Sequence, residues 1–177
     1  MVITGLDAAA KARVAVAVMR RDSAGWALLD NDGGAAATAV SGLALPVEQS
    51  SGCACCTGQV MLHAALVRLL RSHRPQRLLL LAAAAAEPEA LRRALAQGSA
   101  MRAWRVVQQL CVFDERLFAA TGPEPRTLWQ AQCDAADVII HCGNDTTLTE
   151  IDAQIAALAP MPTSASSSKA SSRRIVS

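Results

Sequence analysis

The most constraining feature of this sequence is the alternation of short apolar runs with longer segments whose apolar residues recur at helical spacing. Short apolar runs predict buried strands, and longer amphipathic segments predict helices. The predicted strands lie at residues 1–5, 25–29, 77–82, 106–113 and 136–141. The predicted helices lie at residues 7–20, 58–72, 87–97 and 148–158. Buried strands that alternate with helices predict an α/β domain with a mostly parallel sheet flanked by helices.

The remaining segments are small and polar. Residues 35–51 contain Pro46, and we expect a loop there with at most one short strand. From residue 161 onward the chain is mainly Ser, Ala, Thr, Pro and basic residues, a composition that cannot form a core. The sequence therefore predicts one domain over residues 1–160 and a Ser-rich disordered tail over residues 161–177.

Composition excludes several classes of function. The chain has 177 residues, of which 52% are hydrophobic and only 3% aromatic, so its core must be mainly aliphatic. Few aromatic side chains argue against single-stranded nucleic-acid binding, which uses them as stacking platforms. The net charge is +2, and three basic residues of the tail (Lys169, Arg173, Arg174) have no acidic partner nearby in the sequence. The folded part therefore lacks the basic footprint of a nucleic-acid-binding protein.

The sequence also gives expectations about location. The longest apolar run, residues 78–86, is far shorter than the roughly 20 residues that cross a bilayer. The first five residues do not have the pattern of a signal peptide. We therefore expect a cytoplasmic protein that does not bind membranes and whose 6 cysteines are reduced.

A cluster of cysteines is the most informative local motif. Residues 52–57 read Gly-Cys-Ala-Cys-Cys-Thr, so Cys53, Cys55 and Cys56 precede a predicted helix. A helix N-terminus favours thiolates, and soft sulfur ligands suit Zn²⁺ or Cu(I). Because a tetrahedral site needs four ligands, the fourth would be a water, Glu48, His63 or a group from a partner protein. The alternative is that these cysteines are small buried residues of a turn.

The other three cysteines lie in or beside apolar elements. Cys111 falls within one predicted strand, and Cys142 directly follows another. Cys133 lies just before the last predicted strand. For all three, packing in the core is the expected role, because a free cysteine behaves as a small hydrophobic residue.

The cysteine motif and the order of the elements resemble the CobW-type GTPases, metallochaperones of the P-loop class. The family loop reads G-C-x-C-C-T, as residues 52–57 do. The family's opening T-G-F-L-G-A-G-K-T-T corresponds to residues 4–13, and its N-E-x-G to residues 31–34. Its E-T-S-G-x-A-D-P corresponds to residues 81–88, and its base-reading N-K-x-D to residues 142–145.

The resemblance implies a P-loop NTPase-like fold and a metal-handling function. It also implies which residues would bind ligands: Gly5, Lys11 and Asp145 a GTP–Mg²⁺ cofactor, and Cys53, Cys55 and Cys56 Zn²⁺ or a similar transition metal. The implied partners are the metal ion and a client metalloprotein or a related GTPase. Neither the resemblance nor the composition indicates an oligomeric state.

Departures from the family pattern fall on the nucleotide motifs. Ala8 and Ala10 replace glycines of the phosphate loop, where backbone N–H groups approach the phosphates closely. Ala12 replaces the hydroxyl residue that binds Mg²⁺, and residues 82–86 are all alanine where the family senses the γ-phosphate. Residues 142–143 replace the Asn and Lys of the base-reading motif. GTP hydrolysis is therefore expected to be lost.

Other interpretations of these residues stay open. Lys11 is also compatible with a solvated helix position, Gly5 with an ordinary turn, and Asp145 with a turn or helix cap. The chain could be an active GTP-binding metallochaperone with an unusual loop. It could instead be a non-catalytic pseudo-GTPase that docks on a partner, or a product without a selected activity.

Overall fold

Six strands form one sheet in the computed structural model, which describes residues 1–22, 24–52, 58–97 and 104–157. The strands are β1 (Val2–Thr4), β2 (Trp26–Asp30), β3 (Val47–Gln49), β4 (Arg77–Leu81), β5 (Gln109–Phe113) and β6 (Val138–His141). Their spatial order is β3-β2-β4-β1-β5-β6, and every neighbouring pair is parallel. The predicted parallel α/β sheet is therefore confirmed.

Seven helices connect and cover the strands in the described part of the chain. They are α1 (Ala8–Arg21), α2 (Ala35–Ala39), α3 (Gln59–His73), α4 (Pro88–Ala96), α5 (Glu115–Ala120), α6 (Pro123–Asp134) and α7 (Leu148–Ala156). The prediction of a loop over residues 35–51 is wrong in its first part, because α2 forms there. Its alanines are good helix formers, and Ala36 is buried in the core. The sequence interpretation also did not include α5 and α6.

The two faces of the sheet bury separate apolar layers. Leu28, Leu79 and Leu81 belong to one layer, whereas Leu29 and Leu80 belong to the other, as the period of two in a strand requires. Helices α1, α2 and α7 cover the first layer, and α3 and α4 cover the second. No helix of the described residues is long and apolar enough to cross a membrane.

All strand carboxyl ends meet at one edge of the sheet because the strands are parallel. The turns that follow β1, β2, β4, β5 and β6 begin there with Gly5, Asn31, Ala82, Asp114 and Cys142. Ligands of open α/β sheets bind at this edge. The three cysteines outside the Cys53–Cys56 motif are buried in the core, as predicted.

Candidate functional site

The turn after β1 is tight and depends on a glycine. Gly5 has a φ of +135°, and a Cβ at this position would lie 2.7 Å from the carbonyl oxygen of Val112. Both the backbone conformation and the lack of space therefore require glycine. Only Leu6 and Asp7 separate Gly5 from the start of α1.

The N-terminus of α1 is capped by a side chain of the protein. Asp7 accepts hydrogen bonds through Oδ1 from the backbone N–H groups of Ala9 (2.8 Å) and Ala10 (3.0 Å). In a glycine-rich phosphate loop, N–H groups at these positions point at phosphates. Ala8 and Ala10 instead extend the helix N-terminally, so that α1 begins three residues before Lys11.

Lys11 is fully buried, so its interpretation as a solvated helix residue is wrong. Its Nζ donates to the carbonyl oxygen of Ala82 (2.8 Å) and lies 2.8 Å from Oδ2 of Asp32. Desolvation lowers the pKa of Lys11, while the charge of Asp32 acts in the opposite direction. The ammonium that would meet a phosphate in the family pattern therefore forms an internal ion pair.

The segment after β4, residues 82–86, is held by side chains from several elements. Besides the lysine contact, Asp32 Oδ1 accepts a hydrogen bond from the N–H of Ala84 at 2.9 Å. The buried side chain of Gln132 in α6 donates to the carbonyl oxygens of Ala84 (3.1 Å) and Ala86 (2.9 Å). The segment that corresponds to the γ-phosphate sensor is therefore held by hydrogen bonds with Lys11, Asp32 and Gln132.

The two flanks of the cysteine motif lie close together. Asn31, which is 3% exposed, donates through Nδ2 to the carbonyl oxygens of Gly52 (3.0 Å) and Ser50 (3.4 Å). A Cβ on Gly52 would lie 3.3 Å from Cα of Gly58. Gly52 and Gly58 therefore lie next to each other, and residues 53–57 between them lie outside the described residues.

The predicted metal ligands Cys53, Cys55 and Cys56 fall in that undescribed segment. The two side chains considered as a fourth ligand have other partners: Glu48 pairs with Arg68 at 2.9 Å, and Nε2 of His63 lies 2.9 Å from the carbonyl oxygen of Ala94. Among the described residues, no group of three or more His, Cys, Asp or Glu side chains is placed to hold a metal ion.

Asp145, the last predicted nucleotide contact, lies two strands from the lysine, in the turn after β6. Its side chain is 80% exposed and forms an ion pair with Arg116 at 2.6 Å. A cavity of about 370 Å³ opens beside it, lined by residues 113–116 and 141–146. Gly5 and Lys11 thus lie at the central strand, and Asp145 lies beside an open cavity at the sheet edge.

An arginine of α1 fixes the turn beside this cavity. Arg13 donates to the carbonyl oxygens of Gly143 and Thr146 and lies 3.3 Å from Sγ of Cys142. The hydroxyl of Thr146 accepts a further bond from the N–H of Gly143. Position 13 is threonine in the family pattern, so these contacts of Arg13 are a further difference between this chain and that pattern.

Sequence reasoning missed most of the supporting side chains. It did not single out Gln132 or Arg13, and no local motif marks either residue. Asn31 and Asp32 did stand out as part of the N-E-x-G resemblance. In the structure, Asn31 donates a hydrogen bond to Gly52 of the cysteine motif, and Asp32 forms an ion pair with Lys11.

The comparison with known families decides the identity of this fold. The sequence matches the family model for the CobW/HypB/UreG nucleotide-binding domain over residues 1–167. The chain belongs to this family. It has an α/β fold of the P-loop NTPase type, with the strand order described above.

Two further comparisons complete this finding. None of the curated proteins compared with the sequence matches it. Among solved structures, the signal recognition particle receptor FtsY from Elizabethkingia anophelis, in complex with GDP, is similar with a TM-score of 0.44 and 13% identity. The alignment covers 85% of this chain and 50% of FtsY, so the chain spans about half the length of that structure.

Proposed function

We propose that this CobW/HypB/UreG domain is a metal-handling accessory protein that binds Zn²⁺ or a similar soft metal ion through Cys53, Cys55 and Cys56 and has lost GTP hydrolysis. The metal is cargo, which the protein would pass to a client metalloprotein. A cytoplasmic location is part of the proposal, since three exchangeable thiolates need a reducing compartment.

The convergence of Gly52 and Gly58 is the observation that carries the metal proposal. Gly52 and Gly58 lie on either side of the segment that carries the three thiols, and Asn31 donates a hydrogen bond to the carbonyl oxygen of Gly52. Three thiolates from one short segment would select soft metals. With three ligands from the chain, the fourth position stays open to water or a partner, which suits transfer better than permanent storage.

Loss of hydrolysis is supported by the internal ion pair of the lysine and by the missing Mg²⁺ ligand. Phosphoryl transfer depends on lysine, Mg²⁺ and backbone N–H groups acting together on the phosphates. In this chain Lys11 is paired with Asp32, Ala12 has no hydroxyl, and Asp7 occupies two N–H groups. None of the three contributions is available without rearrangement.

Metal content of the protein purified without chelator tests the first half of the proposal. We expect about one equivalent per chain, lost when Cys53, Cys55 and Cys56 are all replaced by Ser. Cys142→Ser, which removes one thiol of the core, is the matched control and should keep the metal. Equal metal content in the wild type and the triple variant would overturn the proposal.

GTP turnover tests the second half. We expect no Mg²⁺-dependent release of phosphate above the rate without protein. Turnover that disappears in Lys11→Ala would instead support an active GTP-binding metallochaperone of the ordinary type. Circular dichroism of both proteins must show that they are folded, because Lys11 lies in the core.

A pseudo-GTPase that docks on a partner is the second candidate, and an exposed apolar pair supports it. Val60 and Met61, in the first turn of α3 directly after the cysteine motif, are 75% and 48% exposed. Sedimentation of the wild type and of Val60→Asp/Met61→Asp would test it. A dimer that only the wild type forms supports docking, whereas two monomers argue against self-association through this pair.

A further inference from the structure

Two core cysteines face each other in the structure. Sγ of Cys111 in β5 lies 3.5 Å from Sγ of Cys133 in α6. Cys111 is fully buried and Cys133 is 8% exposed, and both pack with Trp129. The third described thiol, Cys142, lies 3.3 Å from the guanidinium of Arg13 instead.

The positions of the two cysteines suit a covalent bond between them. A disulfide needs its sulfurs about 2.05 Å apart, so these sulfurs must approach by roughly 1.5 Å. Cys111 is fixed in a strand with neighbours on both sides, β1 and β6. Cys133 lies in the last turn of α6, where helices fray, and small movements there can close the gap.

We propose that Cys111 and Cys133 are a site of reversible disulfide formation that attaches α6 to the sheet. The oxidant is a low-molecular-weight disulfide. The Cys133 thiolate attacks it, forms a mixed disulfide and releases one small thiolate. Cys111 then loses its proton to the released base and attacks the sulfur of Cys133, which expels the second small thiolate. The protein is oxidised by two electrons, and the reagent is reduced to two thiols.

Cys133 is the first nucleophile because it is the more accessible of the two. Burial raises the pKa of both thiols, and that of Cys111 to about 12, so that the Cys111 thiolate is scarce at neutral pH. The order of attack predicts a mixed disulfide on Cys133 as the intermediate.

The disulfide would act on the segment that follows β4. Gln132, the neighbour of Cys133, donates to the carbonyl oxygens of Ala84 and Ala86. Attaching the end of α6 to β5 restricts the movement that breaks these bonds. Oxidation would therefore stiffen residues 82–86, at the edge where ligands of this fold bind.

The experiment uses the full chain with Cys53, Cys55 and Cys56 replaced by Ser, which leaves three cysteines. After incubation with glutathione disulfide, thiols are counted in denaturant. We expect the count to fall from three to one, with a Cys111–Cys133 peptide in the mass map. Amide exchange in residues 82–86 should slow after oxidation.

Two controls isolate the pair. When Cys133→Ser is added, the thiols of Cys111 and Cys142 should both stay free. When Cys142→Ser is added instead, the thiol count should fall from two to zero. A count that stays at three, glutathione retained on Cys133, or a disulfide that includes Cys142 would overturn the proposal. Mapping of oxidised wild-type protein must show the same peptide. The result is independent of the metal proposal, whose readout is the metal content of the unoxidised wild type.

Discussion

At the residue scale, the central feature is a buried charge pair. Lys11 and Asp32 replace a contact that the family pattern assigns to a phosphate, and both lie away from water. A buried pair often contributes little net stability compared with apolar residues, but removing one partner leaves an uncompensated charge. Its contribution is therefore visible only when one partner is changed alone.

We expect Asp32→Ala to lower the free energy of unfolding by about 3–5 kcal/mol, because it leaves the Lys11 ammonium in the core without a countercharge. Lys11→Met/Asp32→Leu should be markedly more stable than this single variant. Urea denaturation measures both. Asp145→Ala, which breaks an exposed ion pair, is the control and should change stability little. Equal loss in all three variants would contradict an ion pair in the core.

Stability at alkaline pH reports on the thiol of Cys111. Burial raises its pKa from the ordinary 9.0 to about 12, so between these values the folded chain keeps a proton that the unfolded chain has lost. Stability is therefore fully present below pH 9 and falls as the pH rises above it, by about 1.4 kcal/mol per unit for this thiol.

Urea denaturation at pH 8, 9 and 10 checks this expectation. The chain has no tyrosine, so no phenol titrates in this range. Cys111→Ala should be less stable at pH 8 because of the cavity, but its stability should fall less steeply from pH 9 to 10. Parallel curves for the two proteins would show that Cys111 does not hold its proton in the folded state.

At the element scale, the strands were predictable and the short helices were not. Short buried runs between helical segments, such as residues 77–82, predict strands, and β4 forms there. In contrast, Pro123 and Pro125 look like turn residues, yet both lie in the first turn of α6, where the missing N–H groups have no helical acceptor. The five residues of α2 are too few to show a helical period.

The contacts between elements could not be predicted, because they join residues far apart in the sequence. Gln132 illustrates this, since it reaches the segment after β4, 48 residues away at Ala84. The same limit explains why the burial of Lys11 was missed. Motif comparison predicted which positions belong to the candidate site, whereas the internal contacts of these positions join residues far apart in the sequence.

Gln132→Met tests whether the hydrogen bonds from α6 restrain residues 82–86. The substitution keeps the approximate volume but removes two hydrogen bonds, so the carbonyl oxygens of Ala84 and Ala86 lose their buried donor. We expect amide exchange in residues 82–86 to become at least about tenfold faster, which corresponds to about 1.4 kcal/mol. Gln130→Met, on the exposed side of the same helix, is the control and should leave this segment unchanged.

At the scale of the whole molecule, the carboxyl edge of the sheet is filled by internal contacts at its centre and has a cavity at one side. Lys11, Asp7 and Gln132 each make polar contacts within the protein, whereas the cavity between residues 113–116 and 141–146 remains. These internal contacts occupy groups that the family pattern assigns to the phosphates. The stability of the domain should therefore respond to metal and not to GTP.

Thermal unfolding with each ligand separates these two responses. A ligand that binds only the folded state stabilises it by RT ln(1 + [L]/Kd), about 2.7 kcal/mol at a hundredfold excess over Kd. For a domain of this size that is a rise in Tm of roughly 5–10 °C.

We expect Zn²⁺ to raise the Tm by this amount in the wild type and not in the variant with Ser at Cys53, Cys55 and Cys56. GTP with Mg²⁺ at millimolar concentration should shift neither protein, because the lysine already has its partner. A rise with GTP in both proteins would mean that the Lys11–Asp32 pair opens readily, and that the nucleotide site is latent instead of lost.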